Sequence, residues 1–138
     1  MKDGGITVRV DGASRGNPGP AGIGAVVEFE DGTPSRELSA YIGETTNNVA
    51  EYRALLMALD EAARHGAQPV TVYSDSELLV RQLNGEYKVK AAHLRPLHLE
   101  ARRRLRAFPT ARILHVTREG NRRADLLANL AIDRHGKP

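Results

Sequence analysis

The spacing of apolar residues first changes period at Thr45, and that change limits what the chain can fold into. Before it, Ile6, Val8 and Val10 alternate with polar residues, residues 23–29 form a second strand-like run, and Leu38, Ala40 and Ile42 alternate again. Alternation gives each segment one apolar face, the requirement for a half-buried strand. Asp31 and Gly32 between the second and third runs form a hairpin signal. Three strands in close succession predict an antiparallel meander over 6–10, 23–29 and 37–42. The intervening string DGASRGNPGP, residues 11–20, carries three Gly and two Pro. It is expected to be a turn-rich loop, with Asp11 ending the first strand.

After Thr45 the period becomes helical. Ala50, Ala54, Leu55, Ala58, Leu59 and Ala62 lie on one helix face, opened by an Asn cap and closed near Gly66. Residues 69–73 read as a short apolar strand, and Ser74, Asp75 and Ser76 cap a helix running to Asn84 and Gly85. Pro96 suits the start of a helix over 96–107 whose Leu97, Leu105 and Phe108 face inward and whose Arg102, Arg103, Arg104 and Arg106 face outward. Residues 111–117 read as a fifth strand. Asn121 or a neighbour opens a last helix, and the tail from 135 to 138 frays. A strand followed by a helical crossover and another strand makes the fourth strand parallel to the first. The expectation is an α/β fold in one domain over 1–138: a mixed five-stranded sheet, strands 1–3 antiparallel, strands 4 and 5 parallel to strand 1, with helices on its faces.

Composition removes whole classes of chemistry. The chain has no Cys, which excludes thiol nucleophiles, disulfides and cysteine-ligated zinc. That fits a reducing cytosol, and with no apolar run near the ~20 residues of a membrane span and no signal-peptide stretch the expectation is a cytoplasmic protein without a membrane partner. The net charge of +3 hides an asymmetry: up to Asp75 there are 6 Lys+Arg and 11 Asp+Glu, and from Ser76 onward 14 and 6. A basic half beside an acidic one points to a polyanion held by one surface, with carboxylates gathered where it approaches.

Four acids stand at marked positions: Asp11 at the first strand's end, Glu51 in the first turn of the first helix, Asp75 at the fourth strand's end, and Asp125 near the start of the last helix. Each has an ordinary role available. Asp11 and Gly12 form a common turn pair, Glu51 follows Asn48 at capping-box spacing, Asp75 can cap a helix, and Asp125 suits a helix N-terminus. Parallel first and fourth strands, however, bring Asp11 and Asp75 out side by side at the sheet edge where α/β sites form. Four carboxylates there repel one another unless cations neutralise them, and hard oxygen donors suit Mg²⁺ or Mn²⁺.

The strings DGASRGNPGP from Asp11, TTNN from Thr45 with Glu51 after it, SDS at 74–76 and NRRADLLA from Asn121 resemble type 1 ribonuclease H, in the family's order and over nearly the whole chain. The resemblance implies a ribonuclease H-like fold and an endonuclease that cuts the RNA strand of RNA–DNA hybrids to 5′-phosphate and 3′-hydroxyl ends. By the family's pattern Asp11, Glu51, Asp75 and Asp125 hold two divalent metal ions, Mg²⁺ or Mn²⁺. Gly12, Ala13, Ser14, Asn47, Glu51 and Glu77 lie near the RNA 2′-hydroxyls, and Asn17, Thr46 and Asn48 hold the DNA strand. Helix capping or a turn is the competing role for these Asn residues.

Two departures from the pattern stand out. Many members carry a His in the loop before the last helix, whereas this loop reads Thr117, Arg118, Glu119, Gly120. Arg118 is the replacement candidate, ahead of Glu119, and His115 reads as a strand residue. The Lys- and Trp-rich protrusion of many bacterial members is also missing, leaving Lys88, Lys90, Arg95 and the Arg102–Arg106 cluster to attract the substrate. This short form resembles archaeal-like members, with double-stranded RNA as a second substrate candidate and a monomer as the expected state. A silent hybrid-binding module and an integrase-like DNA-cutting enzyme are the competing functions.

Overall fold

The computed structural model describes residues 5–136. Five strands, β1 (Ile6–Ser14), β2 (Gly19–Phe29), β3 (Arg36–Thr45), β4 (Val70–Ser74) and β5 (Ala111–His115), form one sheet in the order β3-β2-β1-β4-β5. Pairing is antiparallel between β1, β2 and β3 and parallel between β1, β4 and β5, as the periodicity implied. The helices are α1 (Asn47–Arg64), α2 (Glu77–Leu83), α3 (Arg95–Leu105) and α4 (Arg122–His135), with short 3-10 turns at Ala92–Leu94 and Glu119–Asn121.

The largest departure from expectation lies at the glycine-rich string. Asp11 does not end β1: the ladder continues through Asp11↔Gly24, Gly12↔Ile23 and Ala13↔Gly22 to Ser14↔Ala21, leaving only 15–18 as the connection. Gly12 belongs to the strand, and a helix presses on it there, as another does on Gly24 of β2. A Cβ on Gly12 would lie 2.3 Å from the Ala50 carbonyl carbon of α1, and one on Gly24 would lie 2.4 Å from the Ala124 oxygen of α4. At Gly12 what looked like turn punctuation is close backbone approach, whereas Gly16, with φ +102°, keeps the turn role that the string implied. β3 likewise extends beyond 37–42, and β5 stops at His115, two residues short of Thr117.

Caps also differ. Thr46, not an Asn, caps α1, its hydroxyl accepting from the Val49 N–H at 3.3 Å. Ser76, not Asp75, caps α2 by accepting from Leu79 N–H at 3.2 Å. Asn121 stands at the cap position of α4 but makes no capping bond. Of the tail expected to fray, His135 closes α4 with its ring stacked 3.6 Å from Tyr41, and residues 137–138 lie outside the described residues.

The core lies between the sheet and α1, α2 and α3. Ala50, Ala54, Ala58 and Ala62 bring α1 down onto the sheet, and Leu55 and Leu59 fill the space over Ile6, Val8 and Val10. Each buried Leu contributes about 1.5–3 kcal/mol. Arg104 and Arg103 of α3 both pair with Glu100, and Arg104 also pairs with Asp60 of α1, so part of the arginine cluster is committed to intramolecular contacts.

Tyr52 crosses this interface fully buried, and its hydroxyl donates to Oε1 of buried Gln82 at 2.6 Å. Burial pushes the phenol pKa up, so it remains a donor. Tyr52→Phe leaves that acceptor buried without its partner and is expected to cost about 1–3 kcal/mol. A urea titration reads it as a lower midpoint at unchanged slope.

Candidate metal centre

Two glycine contacts assemble the site around the end of β1. Gly12 admits the α1 backbone on one face, bringing Glu51, which lies in the second turn of the helix, beside β1. The Gly12 N–H donates to Glu51 Oε1 at 3.1 Å. That bond replaces the expected capping box: the Glu51 carboxylate faces β1, not its own helix end. On the other face, Gly24 is the register partner of Asp11, and its missing side chain lets α4 settle at Ala124, one residue before Asp125. Asp75 follows β4, the parallel neighbour of β1, between the last strand residue and the Ser76 cap.

Asp11, Glu51 and Asp75 thus offer carboxylate oxygens within 4.8 Å of one another. Asp125 lies outside that triad but lines the same cleft of about 530 Å³, close enough for its side chain to act on the Asp11 carboxyl. Asp11 is only 5% exposed. Burial first, then the charges of Glu51 and Asp75 and the contact with Asp125, hold the Asp11 carboxyl far above the usual carboxylate range. Burial and Asp75 raise Glu51 as well, against the opposing pull of the Gly12 N–H and the Arg118 guanidinium. Hard oxygen donors whose charge is this poorly compensated fit a divalent cation, and the cluster is suited to hold one.

A pH dependence follows for the metal-free protein. Asp11 and Glu51 have folded pKa values above their unfolded values of about 4, so the folded state binds more protons than the unfolded state above that pH. Their contribution is complete below pH 4 and is lost as pH rises through the folded values. In chelator, the melting temperature should therefore decline between about pH 5 and 8, and the decline should flatten in Asp11→Asn or on adding Mn²⁺.

The remaining sequence-derived residues divide into two groups. Gly12, Ala13, Ser14, Asn47 and Arg118 line the cleft with the carboxylates. Asn17 and Thr46 flank it through polar contacts: Asn17 Oδ1 accepts from the Asn47 N–H at 3.0 Å, while the Thr46 hydroxyl is engaged in the cap, and Asn48 is exposed in the first turn of α1. Lys88 and Arg95 instead line a separate groove beside α3, where Arg95 donates to the Val89 and Lys90 carbonyls. Glu77 pairs with Arg81 at 2.8 Å and lines a neighbouring depression. His115 is the last residue of β5, as read, yet it also lines the carboxylate cleft.

Sequence reasoning missed Asn129, which lines the cleft one turn beyond Asp125, and the true use of Asn121. Asn121 is 1% exposed and donates from Nδ2 to the Val10 carbonyl at 2.7 Å, tying the start of α4 to the residue before Asp11. The spacing of Asn129 four residues after Asp125 was the available signal.

A five-stranded mixed sheet with acidic residues converging where the parallel β1–β4 ladder ends defines an α/β protein with a carboxylate cluster able to hold a metal ion. Residues 9–131 match the family model described as reverse transcriptase-like. The chain is 46% identical over 123 residues to ribonuclease HI of Halobacterium salinarum, covering 89% of this chain and 62% of that protein. It is 45% identical over 129 residues to a bifunctional protein of Mycobacterium tuberculosis, covering 93% of this chain and 35% of the relative. The chain therefore spans about a third of the mycobacterial relative's length. Among solved structures, LC11-RNase H1 in complex with an RNA/DNA hybrid superposes with a TM-score of 0.89 at 46% identity, covering 96% of this chain and 99% of that one. The crystal structure of RNase H1 from the same Halobacterium gives 0.89 at 43%, covering 94% and 98%. The chain belongs to the reverse transcriptase-like family and, within it, to the type 1 ribonuclease H group.

No helix among the described residues is long and apolar enough to cross a membrane.

Proposed function

We propose that this chain is a metal-dependent endoribonuclease domain that hydrolyses the RNA strand of RNA–DNA hybrids, leaving 5′-phosphate and 3′-hydroxyl ends. The observation that carries the reading is the packing of Asp11, Glu51 and Asp75 within 4.8 Å, with Asp125 against Asp11. A pure binding module gains nothing from placing repelling carboxylates where phosphates must approach.

Asp11, Glu51, Asp75 and Asp125 would hold two Mg²⁺ or Mn²⁺ ions, which supply charge neutralisation at the phosphate and a lowered pKa for attacking water. The chain's own residues do the rest. The backbone at Gly12, Ala13 and Ser14, with Asn47, lines the cleft beside the carboxylates, where an RNA strand presents its 2′-hydroxyls. Glu77 is proposed for the same strand from the neighbouring depression. Asn17, Thr46 and Asn48 cluster at the start of α1, a surface suited to the DNA strand. Lys88, Lys90 and Arg95 extend a basic surface beyond the cleft and serve attraction, not chemistry.

Arg118 takes the place of the loop His: its guanidinium lines the cleft and its charge acts on Glu51, which keeps that carboxylate more available in ionised form. Arg118→Ala is expected to lower kcat about tenfold, in the range seen when groups supporting metal ligands are removed. Arg36→Ala, which breaks an exposed pair with Glu61, should leave kcat unchanged. Steady-state cleavage of a labelled hybrid by both variants compares them, and equal rates would reduce Arg118 to a surface charge.

The reading as a whole is tested with hybrid, double-stranded RNA and double-stranded DNA, each with Mg²⁺ or Mn²⁺. Cleavage of the hybrid supports it. An intact hybrid with both metals overturns it, and cutting of the DNA duplex favours an integrase-like enzyme. The duplex RNA arm shows how strictly the DNA strand is required.

A further inference from the structure

Asp125 differs from the other three acids in standing outside the tight triad, and its surroundings contain a feature the catalytic reading does not use. Asn129, one helical turn later, donates from Nδ2 to the Asp125 side-chain oxygen Oδ1 at 3.3 Å and to its backbone oxygen at 3.1 Å. Asn129 has its own partner: its Oδ1 accepts from Nη2 of Arg15 at 3.2 Å. Arg15 is held in turn by Asp133, one more turn along α4, at 2.7 Å. Arg15 opens the 15–18 connection between β1 and β2, the same connection whose Asn17 meets the start of α1.

The order of donors and acceptors gives this chain a direction. A side-chain amide rotated the other way would turn its oxygen toward Asp125 and its NH₂ toward the guanidinium, unfavourable at both ends. Arg15 therefore selects the amide orientation in which Asn129 donates to Asp125. Asp125 lines the cleft while Asn129 holds its carboxylate from the same helix, a restraint that does not depend on a cation.

We propose that Asn129, oriented by Arg15, is a positioning residue for Asp125 that sets how tightly the carboxylate cleft retains a divalent cation before nucleic acid binds. The proposal rests on the metal-dependent reading above. Outer-shell partners of this kind hold a ligand in its binding orientation, and their loss weakens metal binding without touching the metal itself. Because the oriented amide depends on Arg15, the two residues act as one unit, and their effects should not add.

The test is calorimetric titration of Mn²⁺ into the intact chain without nucleic acid, for wild type, Asn129→Ala, Asn129→Leu, Arg15→Ala and the Arg15→Ala/Asn129→Ala double variant. Asn129→Ala is expected to weaken Mn²⁺ binding about tenfold, Arg15→Ala to weaken it less, and the double variant to match Asn129→Ala. Asn129→Leu keeps the branched shape of the side chain without its polar atoms, so a matching loss there without a lowered melting temperature attributes the effect to the amide. Unchanged Mn²⁺ affinity in both Asn129 variants overturns the proposal, as does a double variant whose loss is the product of the single losses. Hybrid cleavage measured on the same samples separates this from the broader reading. A wild type that binds Mn²⁺ but cuts no hybrid overturns the ribonuclease assignment and leaves the positioning result to stand on the titration.

Discussion

Asp11→Asn should abolish hybrid cleavage while leaving hybrid binding intact. Asp11 is the most enclosed of the four acids and the one on which Glu51, Asp75 and Asp125 all act. An amide keeps the shape and one oxygen but loses the charge that draws in a cation. Because removing a group that merely supports a metal ligand costs about 10–100-fold, removing a central ligand should cost more than about 100-fold in kcat. The same change relieves the repulsion in metal-free protein, so the inactive variant should melt higher than wild type in chelator at neutral pH. Loss of activity with gain of stability is a combination that misfolding cannot produce. Rates on labelled hybrid, binding by fluorescence anisotropy and melting in chelator measure the three parts, and retained activity would remove Asp11 from the metal site.

Gly12→Ala should be strongly damaging to both stability and activity. The added Cβ would lie 2.3 Å from the Ala50 carbonyl carbon and 2.5 Å from the Glu51 nitrogen. Both are backbone atoms of α1, so no side-chain rotation relieves the clash and the helix must move off β1. Overpacking of this kind costs typically 1–3 kcal/mol, and contact with a whole peptide group of a packed helix places it at about 3 kcal/mol or more. For a chain of this size that is a fall of about 10 °C in melting temperature. Moving α1 also lengthens the bond from the Gly12 N–H to Glu51, so activity should fall in whatever fraction remains folded. A comparison at Gly32, where nothing lies within 4 Å of a Cβ but φ is +93°, isolates the cost of conformation from that of contact. Gly32→Ala should cost about 1 kcal/mol with activity unchanged.

The sheet order and strand directions were legible because they follow from period and connection length. The alternation of Ile6, Val8 and Val10 and the helical face from Ala50 to Ala62 each admit one secondary structure, and a helical crossover admits one strand direction. The glycine string was misread for a physical reason. Turn propensity and close helix packing both select glycine, and only the position of α1 tells Gly12 apart from a turn residue such as Gly16. Cap identity was ambiguous in the same way, since Thr46, Asn47 and Asn48 are all competent caps and one residue of register decides.

Among the site residues, the acids were legible as a set because the β1–β4 pairing forces Asp11 and Asp75 together. Glu51 was singled out by its place in the motif and lies beside Asp11 and Asp75, but its partner was not legible: the reach to the Gly12 N–H spans 39 positions of sequence, beyond any local rule. Asn121 was legible only as a helix opener, and Asn129 carried no signal beyond its spacing from Asp125. Their meaning comes from Asp125 and Val10, brought near by the fold.

The central claim is that the carboxylate cleft hydrolyses RNA paired to DNA through bound divalent cations. The direct measurement is product analysis of a doubly labelled hybrid incubated with the chain in Mn²⁺ or Mg²⁺ and, in parallel, in chelator. The account predicts an RNA strand cut internally to fragments with 5′-phosphate and 3′-hydroxyl ends, an intact DNA strand, and no cleavage in chelator. Cleavage that persists in chelator, RNA fragments ending in a 2′,3′-cyclic phosphate, or a cut DNA strand would contradict it.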